Sequence, residues 1–180
     1  MKPPIRCARV TDLDAAGLCK RGVNALILDI DNTILSRQNK QYVAGLRAWL
    51  DNMIQNGIRV CLLSNNWHRS VFAQRDELGL PLVRRAMKPL PFAFIRARRK
   101  LGARSRQTIV VGDQLITDVL GAKWAGMQVV WVDPLSSTDL WYTKIFRRIE
   151  RRYLAHLGKP ASRPGGPRQG SPQPPDAKAS

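Results

Sequence analysis

The chain carries four clusters of polar and charged residues, each directly after a short apolar segment. These clusters occupy positions 29–33, 64–66, 88–89 and 112–118. In the first cluster, Asp29 and Asp31 straddle the end of an apolar run, where two carboxylates are costly to bury unless a cation or hydrogen bonds compensate them. A divalent ion is the simplest compensation, and oxygen ligands without a His or Cys cluster favour Mg²⁺ over Zn²⁺. The pattern therefore predicts a magnesium site built from carboxylates.

The segments between the clusters must position these residues. Apolar runs predict five strands, and apolar residues at spacings of three and four predict four helices. The strands are expected at 25–30, 58–63, 82–83, 108–111 and 128–132, and the helices near 42–53, 71–78, 91–101 and 116–125. We expect Phe92 and Ile95 to face the core from the third helix, and Trp124 to lie in the core.

This alternation predicts a Rossmann-like, doubly wound α/β fold with a mainly parallel five-stranded sheet and helices on both faces. In such sheets, groups that carry chemistry gather at the carboxyl ends of the strands. The four clusters are therefore expected to meet at one edge of the sheet. Residues 1–157 would form this single domain, and the Pro- and Gly-rich residues 158–180 a disordered tail.

The four clusters resemble the four motifs of the haloacid dehalogenase (HAD) superfamily of phosphohydrolases. The matching positions are Asp29/Asp31/Thr33, Ser64, Lys88 and Asp113/Asp118. The longer stretches 28–34, 63–66, 86–89 and 111–118 resemble the capless subclass IIIA of the YqeG type, a family that also includes phosphatidylglycerophosphatases of the mitochondrial and plastid kind. The resemblance spans about residues 10–157 and implies a magnesium-dependent phosphatase.

The resemblance also implies a role for each matched residue. Asp29 would be the nucleophile that forms an aspartyl-phosphate, and Asp31 the general acid and then the general base. Lys88 would offset the negative charge of the nucleophile and the phosphoryl group. Ser64 and Asn65 would hold phosphoryl oxygens.

Thr33 would lie beside the phosphate and orient the carboxylates. The Mg²⁺ ion would be bound by Asp29, the backbone carbonyl of Asp31 and Asp113. Asp118 would be either a direct ligand of the ion or a partner of one.

The short intervals between the clusters exclude a separate cap domain. One helix and one strand fill the interval from Asp31 to Ser64, and another pair fills that from Ser64 to Lys88. The mouth of the site should therefore be open. An open site suits a substrate that brings its own bulk, such as a lipid headgroup in a bilayer, a protein or a nucleic acid.

The charge of the chain favours an anionic partner. Lys and Arg number 30 against 13 Asp and Glu, which gives a formal net charge of +17. Nine basic residues and no acidic residue lie between Leu78 and Gly112. Residues 138–156 have the pattern of a basic amphipathic helix, which would lie in a membrane interface, pack on the sheet, or do both.

These observations lead to one main hypothesis and two alternatives. We expect a cytoplasmic enzyme, able to associate with the inner face of the cell membrane, that dephosphorylates phosphatidylglycerophosphate. The first alternative is a capless phosphatase that acts on nucleic-acid or protein phosphates. The second is a non-catalytic protein associated with RNA or the ribosome, because the positive charge would also allow weak nucleic-acid binding.

Overall fold

A computed structural model of the chain describes residues 3–67 and 70–136. Among these residues, six parallel strands form one sheet in the order β1-β6-β5-β2-β3-β4. The strands are β1 (Ile5–Cys7), β2 (Ala25–Asp29), β3 (Arg59–Leu63), β4 (Leu82–Val83), β5 (Thr108–Gly112) and β6 (Gln128–Val132). The basic helix expected at 138–156 and the tail expected at 158–180 lie outside the described residues.

Helices connect successive strands of the sheet. They are α1 (Ala15–Lys20), α2 (Leu46–Gln55), α3 (Ser70–Leu78), α4 (Pro91–Lys100) and α5 (Gly121–Trp124). A π-helical segment, Leu115–Leu120, runs directly into α5. No domain is inserted between β2 and β4 in the described residues, in agreement with the predicted absence of a cap.

The core consists of two apolar layers, one on each face of the sheet. Alternate residues of β2 point to opposite layers, so Leu26 and Leu28 pack with α1, α2 and α3, and Ala25 and Ile27 pack with α4 and α5. All five residues of β2 are buried, as expected of a central parallel strand covered on both faces. The predicted α/β fold with helices on both faces is confirmed.

The predicted number of strands was wrong, because the sheet gains β1 at its edge. This strand has only three residues, two of them exposed, and it pairs in parallel with β6. An apolar run cannot reveal such a strand. Helix α1 was missed as well; its start is fixed by Asp14, whose carboxylate accepts a hydrogen bond from the Gly17 backbone N–H at 2.6 Å.

The predicted inward face of α4 was also wrong. Phe92 is exposed and Ile95 is only half-buried, whereas Phe94, Ala93 and Ala97 are buried against the sheet. The Phe94 ring lies where a Cβ atom at Gly121 would collide with it, so the close approach of α4 to α5 depends on that glycine. This contact between distant residues decides which face of α4 is buried. Trp124, expected in the core, is likewise exposed.

No helix in the part of the chain that the structure describes has the length and hydropathy needed to span a bilayer.

Candidate active site

The four sequence clusters meet at the carboxyl edge of the sheet. The chain passes from β2 to β3 and β4 on one side, and then crosses to β5 on the other side of β2. A crevice forms at such a reversal of strand order, beyond the carboxyl ends of the strands. Asp29 ends β2, Ser64 follows β3, Lys88 follows β4 and Asp113 follows β5.

A buried lysine links two buried carboxylates at the base of the crevice. The Lys88 Nζ atom donates to Asp29 Oδ1 at 2.5 Å and to Asp118 Oδ1 at 2.7 Å. Burial alone would lower the pKa of Lys88, but the carboxylates of Asp118 and Asp29 outweigh it and raise the pKa above its usual value. The lysine is therefore a fixed positive charge at this position.

If Asp29, Asp113 and Asp118 were all ionised, they would carry more negative charge than Lys88 compensates. Burial raises the pKa of Asp29 well above its usual range; Lys88 opposes this shift, while the charges of Asp118 and Asp113 add to it. Burial, together with the Asp118 carboxylate, raises the pKa of Asp113 to about 7. A further cation bound at this cluster would stabilise the ionised form of the carboxyl groups.

The donor set fits a divalent metal ion. Carboxylate oxygens of Asp29, Asp113 and Asp118 lie within 4.8 Å of one another. The buried Asp29 Oδ2 atom has no hydrogen-bond partner among the described residues, so one oxygen of the nucleophile predicted from the sequence is open to a ligand. Three carboxylates without His or Cys are hard ligands of the kind that such an ion prefers.

Asp118 has both of its carboxylate oxygens in use. Its Oδ1 atom accepts from Lys88, and its Oδ2 atom accepts from the Gln114 backbone N–H at 3.1 Å. A Cβ atom at Gly112 would collide with this carboxyl group, so the glycine permits its approach. In this structure Asp118 holds Lys88 in place. Direct binding of a metal by Asp118 stays a prediction.

Thr33 and Asn65 contact other site residues. The Thr33 hydroxyl donates to Asp113 Oδ1 at 3.2 Å. The Asn65 side chain accepts from the Lys88 backbone N–H at 2.8 Å and donates to the Lys88 carbonyl at 3.3 Å. Both side chains thus position charged groups of the site, and their contact with a phosphate stays a prediction.

Ser64 and Asp31 lie together beside this buried base. The Ser64 hydroxyl donates to Asp31 Oδ2 at 3.4 Å and accepts from the Asn66 backbone N–H at 3.0 Å. Asp31 lines the same cavity as Asp29 and Lys88, and its role as a general acid stays a prediction. The structure therefore brings every site residue predicted from the sequence to one edge of the sheet.

An open cavity of about 390 Å³ leads to the base of the site. It contains a residue that sequence reasoning missed, Arg37, whose Nε atom lies 3.9 Å from Asp31 Oδ1. The Arg37 backbone N–H donates to the Asn32 side chain, which fixes the loop after β2. The only signal in the sequence was a basic residue a few positions after Asp31, and no motif spacing identifies such an arginine as part of a site. Arg37 therefore adds a second cation to the lining of the cavity.

Comparison with known proteins supports a phosphatase. The chain is 37% identical over 140 residues to the probable phosphatase YqeG of Bacillus subtilis, covering 78% of this chain and 81% of that protein. It is 26% identical over 163 residues to the chloroplastic phosphatidylglycerophosphate phosphatase 1 of Chlamydomonas reinhardtii, covering 85% of this chain and 61% of that protein.

A family signature and a solved structure agree with these relatives. The HAD-hydrolase-like family signature matches residues 86–137, which include Lys88, Asp113 and Asp118. The cobalt-bound deoxy-D-mannose-octulosonate 8-phosphate phosphatase of Haemophilus influenzae shares the fold, with a TM-score of 0.52, 14% identity and coverage of 75% of this chain and 89% of that one. The chain therefore belongs to the YqeG-type phosphatases, a capless group within the haloacid dehalogenase superfamily.

Proposed function

We propose that this chain is a magnesium-dependent phosphomonoester hydrolase that works through an aspartyl-phosphate on Asp29, and that its substrate is phosphatidylglycerophosphate at a membrane surface. One observation carries the reaction type. The Asp29 Oδ2 atom has no protein partner among the described residues, while Lys88 holds the other oxygen of the same carboxylate at the base of an open cavity.

The reaction has two steps. The Asp29 carboxylate attacks phosphorus, the ester P–O bond breaks, and Asp31 gives its proton to the leaving oxygen. Asp31 then takes a proton from water, which attacks phosphorus and releases phosphate with Asp29 restored. Lys88 keeps the nucleophile oriented and balances the charge of the incoming phosphate throughout.

Asp29, Asp113 and the Asp31 carbonyl would hold the Mg²⁺ ion, with Thr33 orienting Asp113 through its hydroxyl. When bound, the ion would screen the carboxylate of Asp29 from the negatively charged substrate and stabilise charge that develops on the phosphoryl oxygens.

The lipid substrate is supported by the relative from Chlamydomonas reinhardtii, which is named for phosphatidylglycerophosphate. It is also supported by the open cavity. The described residues contain no inserted domain that could keep a headgroup attached to a bilayer out of the cavity. The second cation, Arg37, suits a substrate with more than one negative charge.

A phosphate-release screen tests this proposal. The full chain is assayed with vesicles that contain phosphatidylglycerophosphate, with 3′-phosphorylated oligonucleotides and with phosphopeptides, each with Mg²⁺ or with EDTA. We expect Mg²⁺-dependent release with the highest kcat/KM on the vesicles, and none from Asp29→Asn. Higher efficiency on oligonucleotides or phosphopeptides would overturn the lipid substrate. Failure to hydrolyse any of the three classes would overturn the reaction type.

A further inference from the structure

Four large hydrophobic side chains lie exposed in the two chain segments that also supply Asn65, Lys88 and Pro89 to the lining of the cavity. We call them the apolar rim: Trp67, Met87, Leu90 and Phe92, with exposed fractions between 42% and 70%. Trp67 lies in the loop after β3, Met87 and Leu90 lie in the loop after β4, and Phe92 lies in the first turn of α4. The Asn65 side chain ties the two loops together through the backbone of Lys88. Exposed hydrophobic side chains scattered singly are ordinary, but a group of four beside a site indicates a contact surface.

The backbone of the second loop directs this surface outward. Arg85 and Met87 have positive φ angles of 51° and 50°, a conformation that non-glycine residues rarely adopt. Hydrogen bonds hold it: the Ala86 N–H donates to the Ser64 carbonyl at 3.1 Å, and the Lys88 N–H donates to Asn65. As a result, Ala86 and Lys88 are buried while Arg85 and Met87 are exposed. One segment thus supplies both the buried lysine and the exposed methionine.

The apolar rim is accompanied by positive charge. The Arg85 guanidinium stacks over the Trp67 ring at 4.7 Å from its centroid. Arg84 is its neighbour in the sequence, and Arg96 and Arg99 are exposed on α4. The stretch of sequence between Leu78 and Gly112, to which these arginines belong, contains no acidic residue. A Trp ring, aliphatic side chains and arginines together match the interface of an anionic bilayer, where rings lie among headgroups and cations meet lipid phosphates.

We propose that the apolar rim and Arg85 form a docking surface for an anionic lipid bilayer, which presents a lipid phosphate directly to the cavity. This inference deepens the proposed function and rests on it for the identity of the substrate. A nucleic acid is the weaker match. Single-stranded bases stack on aromatic rings, whereas Met87 and Leu90 have no ring and are better suited to contact with hydrocarbon.

Vesicle co-sedimentation of the full chain tests the surface without relying on catalysis. The vesicles are phosphatidylcholine alone or a mixture with phosphatidylglycerol. We expect binding to the mixed vesicles only, weakened by salt. Phe92→Ser should lower the partition coefficient between vesicles and water roughly tenfold, because the variant has no phenylalanine ring to transfer from water into the bilayer. Arg85→Gln should lower it about fivefold at low salt.

The chain offers a matched control in Trp124→Ser. Trp124 is 54% exposed but lies on α5, outside the apolar rim, so this variant should bind vesicles as the unchanged chain does. Circular dichroism and turnover of a small water-soluble phosphomonoester verify the fold of each variant. Phe92→Ser should keep that turnover and lose activity on vesicles.

The docking surface would be overturned if Phe92→Ser bound mixed vesicles as well as the unchanged chain does, or if Trp124→Ser lost as much vesicle binding as Phe92→Ser. Binding of an oligoribonucleotide is measured alongside. Loss of that binding in Phe92→Ser, with vesicle binding retained, would assign the surface to nucleic acid instead. These results are independent of the proposed function. A chain that binds mixed vesicles through Phe92 but releases no phosphate would retain the surface and refute the catalytic proposal.

Discussion

The base of the site and its rim are built in opposite ways, although they share one loop. At the base, Asp29, Lys88 and Asp118 are almost fully buried and each makes a short hydrogen bond to a charged partner. At the rim, Trp67 and Phe92 are among the most exposed hydrophobic side chains of the described residues. Buried contacts therefore fix the position of the charged groups, whereas the proposed docking surface consists of side chains that are largely exposed.

The largest expected effect is at the base, in Asp29→Asn. An amide is a poor nucleophile, so turnover of any phosphomonoester should fall at least about a thousandfold. The matched control is Asp51→Asn, which changes an exposed carboxylate on α2 and should leave kcat unaltered. Steady-state phosphate release measures both variants, and ordinary turnover in Asp29→Asn would refute its role as nucleophile.

Lys88→Gln tests the same base through stability. This change leaves Asp29 and Asp118 buried without their cation, and breaking a buried ion pair from one side costs about 3–5 kcal/mol. Lys100→Gln, at an exposed position on α4, should change the free energy of unfolding by less than about 0.5 kcal/mol. Urea unfolding compares them. Equal stabilities of the two variants would mean that the buried contacts do not hold the site.

Thr33→Val tests whether metal binding at the base can be weakened without unfolding the chain. Loss of the hydrogen bond to Asp113 should weaken Mg²⁺ activation about tenfold, because the carboxylate is no longer oriented. The matched control is Thr108→Val. Thr108 begins β5, at the opposite end of that strand from Asp113, and its equally buried hydroxyl donates to the Arg104 carbonyl at 2.9 Å. Both should lose about 1 kcal/mol of stability, but only Thr33→Val should change the Mg²⁺ concentration for half-maximal activity. A shift in both variants would contradict a specific role for Thr33.

The smallest expected effect is at the rim. Leu90 stands at the N-cap of α4 and makes no side-chain capping hydrogen bond. Leu90→Ser would supply a cap and should stabilise the fold by about 0.5–1 kcal/mol. If the apolar rim has a function, the same variant should bind anionic vesicles less well. Thermal denaturation and co-sedimentation give the two readings, and a destabilised Leu90→Ser would show that the leucine is needed for packing.

The sequence made the centre of the molecule predictable and left its edges obscure. Strand β2 was visible because burial on both faces demands a continuous apolar run, and Asp29 and Asp31 were visible because carboxylates at the end of such a run need compensation. Strand β1 was not visible, because three residues at a sheet edge, two of them exposed, leave no pattern.

Within the site, residue types revealed the charged groups but not the contacts among them. Gly112 matters because the Asp118 carboxyl group approaches it, and Arg37 because its loop folds back over Asp31. The outward position of Phe92 depends on how Phe94 packs against Gly121. Each of these depends on a specific contact in space, whether between nearby residues such as Gly112 and Asp118 or distant ones such as Phe94 and Gly121, and hydrophobic periodicity does not report such contacts.

We propose that the carboxylate of Asp29 becomes phosphorylated during turnover. Rapid mixing of the chain with substrate and Mg²⁺, acid quenching within the first turnover, and peptide mapping by mass spectrometry measure this directly. We predict one phosphoryl group on the peptide that contains Asp29, and none in Asp29→Asn. A phosphoryl group on another residue, or rapid phosphate release without any phosphorylated peptide, would refute an aspartyl-phosphate on Asp29.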